Sequence, residues 1–254
     1  MQADLSKIVK KAFEVRGETF VQLVKDVTDS ICCERGKMSN FTVLGRLVVM
    51  NPHGSALMVG DLHGDLESLV DILTGSDFLK KMTHNKDSVI VFLGDYGDRG
   101  AYSAEVYFTV LKLKLLFPEP GVLMRGNHEG PADLMAHPHD LPCQFQMRFG
   151  KKGTSAYKAI CNLFGCLYNA ALVKEQFLIV HGGLPTEART LEDLAYADAN
   201  HPRTQVLEEI LWSDPNEIAE ETVSSPRGAG KLFGRKTTSE VLDRFGVKVF
   251  IRGH

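Results

Sequence analysis

The chain has 254 residues, of which 44% are hydrophobic and 24% charged; this is ordinary globular composition and excludes a disordered chain. A formal net charge of −3 argues against a general nucleic-acid or membrane-surface role, so neither is expected as a partner. Apolar runs fall far short of the roughly 20 residues that cross a bilayer, and MQADLSKIVKKAFEVRGETF lacks the apolar core of a secretory signal, so a cytoplasmic location is expected.

In chain order, residues 1–45 read as an N-terminal helical segment. Leu5, Ile8, Val9 and Phe13, then Phe20, Leu23, Val24, Val27 and Ile31, recur at helical spacing with charges between them. Apolar runs Leu44–Met50 and Ala56–Val59 flank Asn51-Pro-His-Gly54 and predict a hairpin. A helix over about 66–79 follows, then a strand over 89–93, a helix over about 103–116, and a strand over 122–124. That rhythm marks βαβ units. A helix is expected from about Tyr157 to Leu167, a second hairpin from Ala170–Val173 and Phe177–Val180, and a last strand over Val247–Ile251. Residues 217–230, with Ser-Ser-Pro and Arg-Gly-Ala-Gly, read as a surface loop, and His137 and His139 as solvated loop residues. No linker or repeat interrupts the chain, so one domain is expected overall, with residues 46–254 carrying the chemistry. The five cysteines are odd in number, two are adjacent and none form C-x-x-C, which predicts reduced structural thiols.

The chemistry collects where strands end. Ala56–Val59 leads to Gly60-Asp61-Leu62-His63, Val89–Leu93 to Gly94-Asp95-Tyr96-Gly97-Asp98-Arg99-Gly100, and Val122–Met124 to Arg125-Gly126-Asn127-His128-Glu129. Phe177–Val180 leads to His181-Gly182-Gly183, and Val247–Ile251 to Arg252-Gly253-His254. Carboxyl ends of neighbouring strands in an α/β sheet meet at one crevice. Asp61, His63, Asp95, Asn127, His181 and His254 can therefore converge, although they are dispersed over the chain. Oxygen and imidazole ligands without thiolate suit manganese, iron or zinc. Six ligands exceed what one open catalytic ion needs, and fit a pair of ions about 3.5–4 Å apart bridged by a carboxylate.

GDLHGD, GDYGDRG, GNHE and HGGL, followed by LWSDP, SPRGAGKLFG and VFIRGH, resemble the phosphoprotein phosphatase family of serine/threonine phosphatases, part of the calcineurin-like metallophosphoesterase superfamily. The resemblance runs from about residue 56 to the end, and residues 1–40 carry none of its motifs. It implies an α/β, four-layer α+β fold: a central β-sandwich flanked by helices, with metals at the sandwich edge. Relatives continue past the position of His254 with further strands and a covering loop, so the fold is expected here without those last strands, as a truncated fragment or with the terminal carboxylate beside the metals.

The same resemblance assigns roles. Asp61 and His63 match ligands of one divalent metal, Asp95 the bridging carboxylate, and Asn127, His181 and His254 ligands of the second. His128 matches the proton donor to the leaving group, held by Asp98. Arg99 and Arg227 match the arginines that grip the phosphate, which Asn127 also approaches. The implied reaction is hydrolysis of phosphomonoesters on phosphorylated serine/threonine proteins by direct attack of a hydroxide held between two metals, manganese being expected and iron or zinc allowed. Regulatory subunits are the further partners it implies. Two other readings use the same motifs: a diadenosine polyphosphate or small-phosphoester hydrolase, and a non-catalytic phosphoprotein-binding relative. The chain departs from the family pattern at Gly97, where Val is usual and the change loosens the turn, at Gly253 in place of Ala, and after GNHE, in Gly130-Pro-Ala-Asp-Leu.

Overall fold

The strands are β1 (Gly36–Lys37), β2 (Phe41–Leu44), β3 (Leu47–Met50), β4 (Ala56–Val59), β5 (Val89–Phe92), β6 (Gly121–Leu123), β7 (Ala170–Val173), β8 (Phe177–Ile179), β9 (Asp214–Pro215), β10 (Val223–Ser224), β11 (Lys231–Phe233) and β12 (Val249–Ile251). They come from a computed structural model that describes residues 4–51, 54–84, 88–119, 121–218 and 221–254. Among those residues the strands form a six-stranded sheet in the order β1-β2-β3-β7-β8-β12, a parallel trio β4-β5-β6, and a small sheet β10-β11-β9. A bridge from Met124 to Tyr168 ties the trio to the larger sheet.

Alternation along the strands sorts the layers. Ala171, Val173 and Ile179 enter a core shared with Val59, Val91, Phe92 and Leu123 of the trio. Their neighbours Ala170, Leu172 and Leu178 enter a second core with Val206, Leu207, Ile210 and Leu211 of helix Val206–Trp212. Successive side chains of a strand face opposite ways, so one sheet serves both cores. The trio is covered in turn by helices, and Ser103–Leu116 among them is buried around most of its circumference. All four residues of β5 are buried, as a central parallel strand requires. The result is helices, sheet, sheet, helices: the expected α/β β-sandwich flanked by helices.

Register then positions the chemistry. Val59 pairs Phe92, and Phe92 pairs Leu123, so the chain leaves β4, β5 and β6 at one edge. Strands β8 and β12 are parallel with Ile251 opposite Ile179, so they too end side by side.

Several expectations change. The hairpin across 44–59 does not form: β3 pairs antiparallel with β2 and parallel with β7, while β4 belongs to the trio. Two apolar runs around turn residues look alike whether the chain folds back or crosses to another sheet. Pro52 and His53 of that turn lie outside the described residues. Helix ends at Cys33, and β1 and β2 follow, so the last residues of the predicted helical segment are strand. The helix expected over 66–79 divides into Leu66–Gly75 and Phe78–His84 around Asp77, whose φ is 50°. Helix Leu141–Phe149 was not anticipated, and part of the 217–230 loop is strand β10. Cys32 and Cys166 are joined as a disulfide, against the expectation of reduced thiols throughout; Cys33, Cys143 and Cys161 are free.

Helix Gly17–Cys33 buries Phe20, Leu23, Val24, Val27 and Ile31, the stripe read from the sequence. The Phe20 ring lies 5.5 Å from Phe145 and 4.9 Å from Phe149. The Arg148 guanidinium donates to the carbonyls of Ala12 and Phe13 at 3.0 and 2.8 Å. We propose that residues 1–45 fold with 46–254 as one cooperative domain. Phe20→Ala should then lower global stability by about 3–5 kcal/mol, read as one shifted transition in urea unfolding. An early, separate transition with the main one unmoved would show that the N-terminal helices are independent.

Candidate metal centre

Asp95 is the buried hub of the site, 1% exposed, directly after β5. Its Oδ1 accepts from the His128 backbone N–H at 3.0 Å. Oδ2 lies 3.5 Å from His63 Nε2, and Oδ1 lies 3.6 Å from His181 Nε2. Two ligand groups share it: His63, Asp95 and His128, and Asp61, Asp95 and His181, each with its ligand atoms within 4.8 Å of one another. A carboxylate common to two such groups is what a bridged pair of ions needs.

The imidazoles are oriented from behind. His63 Nδ1 donates to the Gly97 carbonyl at 3.0 Å, and His181 Nδ1 to the Leu93 carbonyl at 2.9 Å. Each hydrogen bond fixes the tautomer that turns an Nε2 lone pair toward Asp95. Burial pushes the His181 pKa down, which keeps that ring neutral. His181 Nε2 and Asn127 Oδ1 are both buried without a hydrogen-bond partner. Such orphans call for a bound group, and a nitrogen and an oxygen lone pair suit a divalent cation. The residues present therefore fit the metal ions that the resemblance implies.

The remaining candidates divide. Asp61 sits at the rim, 4.0 Å from both His63 Nε2 and His181 Nδ1, and Oδ1 accepts from the His254 backbone N–H at 3.0 Å. The His254 ring is held aside: Nε2 accepts from Asn127 Nδ2 at 3.0 Å and Arg227 Nη1 at 2.8 Å, while Nδ1 lies 3.2 Å from Asp214 Oδ1. Burial, with His181 adding to it, depresses the His254 pKa to about 4. Five of these residues, His63, Asp95, Asp98, Arg99 and His254, have positive φ values of 45–69°, and non-glycine residues are held so only where their surroundings over-determine them.

Beside the hub, His128 Nδ1 lies 2.5 Å from Asp98 Oδ2, both side chains 1% exposed. Burial works against a charged His128, but the Asp98 hydrogen bond and the charges of Asp95, Asp98 and Glu129 together outweigh it, and the pKa stands above the ordinary histidine value. Burial also opposes ionised Asp98, yet its hydrogen bonds from His128, His139 and the Leu141 N–H hold it well below the usual carboxylate range. Arg99 Nη2 donates to His128 Nε2 at 3.2 Å. Arg99, Asn127 and Arg227 line one cleft of about 500 Å³ with Leu134, His137 and Trp212. A hollow of about 560 Å³ between Asp4 and Lys80 is slightly larger, but none of these groups line it.

Two readings change here. His139 is no solvated loop residue: it is 10% exposed, and Nδ1 lies 2.7 Å from Asp98 Oδ2. Nor does Gly97 loosen its turn; a Cβ there would meet Tyr107 Cε2 at 2.9 Å and Leu141 Cδ1 at 3.1 Å, so bare backbone lets both pack close. Glu129 was given no role from the sequence, although it ends the GNHE motif. Its Oε2 accepts from the Asp95 and Gly126 N–H groups at 2.7 and 3.1 Å, and Oε1 from Tyr96 N–H at 3.1 Å and Tyr107 O–H at 2.9 Å. One buried carboxylate thus fastens the ends of β5 and β6 together.

Residues 55–254 match the calcineurin-like phosphoesterase family. The chain belongs to that family. Divalent metal ions follow from membership, and the residues above could hold them. Among curated relatives, the Caenorhabditis elegans serine/threonine-protein phosphatase 6 catalytic subunit is 34% identical over 197 residues, 77% of this chain and 56% of its own length. The Eremothecium gossypii serine/threonine-protein phosphatase 4 catalytic subunit is 31% identical over 77% of this chain and 60% of its own. The chain thus spans under two thirds of these relatives. A solved Saccharomyces cerevisiae protein serine/threonine phosphatase with similarity to human phosphatase PP5 superposes with a TM-score of 0.75, covering 94% of this chain and 70% of that one; at 24% identity it speaks for the fold alone. No helix among the described residues is long and apolar enough to cross a membrane.

Burial pushes the Asp95 carboxyl up to about 6, with the Asp61 charge adding to it. As the pH falls through that value, a proton competes with a cation for the same oxygens. Manganese affinity measured by calorimetry should therefore be about tenfold weaker or more at about pH 5 than at about pH 7.5; equal affinity at the two would remove Asp95 as a ligand.

Proposed function

We propose that this chain is the catalytic core of a metal-dependent protein serine/threonine phosphatase that hydrolyses phosphomonoesters by direct attack of water. One observation carries the reading: the Asp95 carboxylate, with His63 at one oxygen and His181 at the other, adjoins a buried His128–Asp98 pair beside a cleft bearing Arg99, Asn127 and Arg227. Asp61, His63 and Asp95 would hold one ion, and Asp95, Asn127 and His181 the other, joined by His254 once its Nε2 is released by Asn127 and Arg227; manganese is the expected metal. Such ions supply Lewis-acid stabilisation of phosphate charge and lower the pKa of water.

The side chains do the rest. Arg99 and Arg227 offer planar forks to the phosphate oxygens, and Asn127 an amide N–H. In the substrate-free site Arg99 occupies His128 Nε2. A phosphate dianion draws that guanidinium away; Nε2 then takes a proton from solvent and passes it to the departing seryl or threonyl oxygen, which leaves badly as an alkoxide. Asp98 on Nδ1 orients the ring and stabilises its charged form. The substrates are phosphorylated serine/threonine proteins. Regulatory subunits are proposed because the curated relatives are catalytic subunits, and the cytoplasm is the proposed site of action.

The test is an assay of chelated protein resupplied with manganese against a phosphothreonine peptide, diadenosine tetraphosphate and an aryl phosphate. The highest kcat/KM is expected on the peptide; preference for diadenosine tetraphosphate, or silence on all three, would overturn the reading. His128→Asn should lower peptide turnover by about 10²–10⁴-fold with manganese content unchanged, checked by elemental analysis beside steady-state kinetics. Arg99→Ala should cost roughly 2–4 kcal/mol in kcat/KM; a wild-type value would remove Arg99 from the phosphate site.

A further inference from the structure

Asp98 Oδ2 is approached by two histidines. His128 Nδ1 lies 2.5 Å away and His139 Nδ1 2.7 Å away. Asp98 Oδ1 takes the backbone N–H groups of Asp140 at 2.9 Å and Leu141 at 2.7 Å. An ionised carboxylate only accepts, so both imidazoles donate through Nδ1. That leaves His139 Nε2 as the acceptor for the Tyr157 hydroxyl, 2.9 Å away. Burial raises the Tyr157 pKa, so it keeps its proton to donate. A continuous line of donors therefore runs from Tyr157 through His139 to the oxygen that holds His128.

We propose that His139 is a positioning residue for the leaving-group proton. It pins Asp98 Oδ2 beside His128 and takes a share of its charge, so both the placement of His128 and the strength of its Nδ1 hydrogen bond depend on it. This rests on the reading of His128 as the acid. Two donors on one oxygen each receive less of its charge than a single donor would. The backbone N–H groups of Asp140 and Leu141 hold Oδ1 and cannot stand in for His139 at Oδ2.

The phosphothreonine leaving oxygen needs a proton; the 4-nitrophenyl phosphate leaving oxygen needs one far less. A residue acting through His128 therefore separates the two substrates, whereas a merely structural role affects both alike. His139→Leu should lower kcat on the phosphothreonine peptide by about tenfold, with KM little changed, and kcat on 4-nitrophenyl phosphate by less than about threefold. His139→Asn keeps a neutral N–H donor near the Nδ1 position and should restore peptide turnover to within about twofold of wild type. The second arm needs neither metal nor turnover. In ion-free protein with labelled histidines, the His128 Nδ1 proton resonance should move downfield in His139→Leu, as Asp98 turns its whole charge to one donor, and return in His139→Asn.

An unmoved His128 resonance, or equal losses on both substrates, overturns the proposal. If wild-type protein cleaves neither substrate, the phosphatase reading fails by itself, and the resonance arm still decides what His139 does to Asp98 and His128.

Discussion

The site depends on negative charge buried where water cannot reach it. Asp95 is 1% exposed and Glu129 beside it is not exposed at all. Burial, with the Asp95 charge adding to it, pushes Glu129 up to about 7, and burial pushes Asp95 up as well. The nearby donors are not divided evenly. Glu129 takes four of them, including the Asp95 N–H itself. Asp95 keeps one backbone N–H and otherwise faces imidazole nitrogens whose lone pairs are turned toward it. An arrangement of two buried acids and converging lone pairs is electrostatically incomplete by itself. A cation completes it, and that same requirement makes the centre a metal site.

Holding the arrangement together costs backbone strain. Positive φ at His63, Asp95, Asp98, Arg99 and His254 is a departure of order 1–3 kcal/mol each. It is offset by cross-links between strand ends. His63 N–H donates to the Asp95 carbonyl at 2.8 Å, and Gly64 N–H to the Tyr96 carbonyl at 2.9 Å, so the turns after β4 and β5 lock into one another. Glu129 adds the turn after β6. Gly94, with φ of 107°, brings its α-carbon against Gly126 so closely that a Cβ would lie 2.3 Å from the Gly126 nitrogen. Rigidity here serves the metals, because ligands already locked in place need little rearrangement to bind.

What the sequence disclosed follows from which interactions are local. Strand β5 and helix Ser103–Leu116 were legible because apolar runs bounded by turn residues are set by neighbouring residues. Convergence of Asp61, Asp95 and Asn127 was legible too, since the parallel βαβ rule fixes which ends of strands meet. The pairing of β3 was not: whether Leu47–Met50 turns back on β4 or reaches β7 depends on residues more than a hundred positions away. His139 was misjudged for the same reason. Nothing around His137-Pro-His139 distinguishes a solvated loop from one folded over Asp98, and the partners that decide it are Asp98 and Tyr157. The Cys32–Cys166 disulfide joins residues 134 apart in sequence, with no spacing motif to announce it.

The two carboxylates of GDYGD show how one turn supplies two chemistries. Asp95 and Asp98 are three residues apart and equally buried, at 1% exposure each. Burial opposes the ionisation of both, and the donors around them differ. Asp98 has four donors, two imidazole and two backbone, and stays ionised without any metal. Asp95 has one backbone donor, so burial, with the Asp61 charge adding to it, pushes its carboxyl up until a cation arrives. Environments that drive neighbouring acids apart assign their roles. One becomes a ligand whose charge the ions neutralise; the other remains a fixed anion that orients an imidazole.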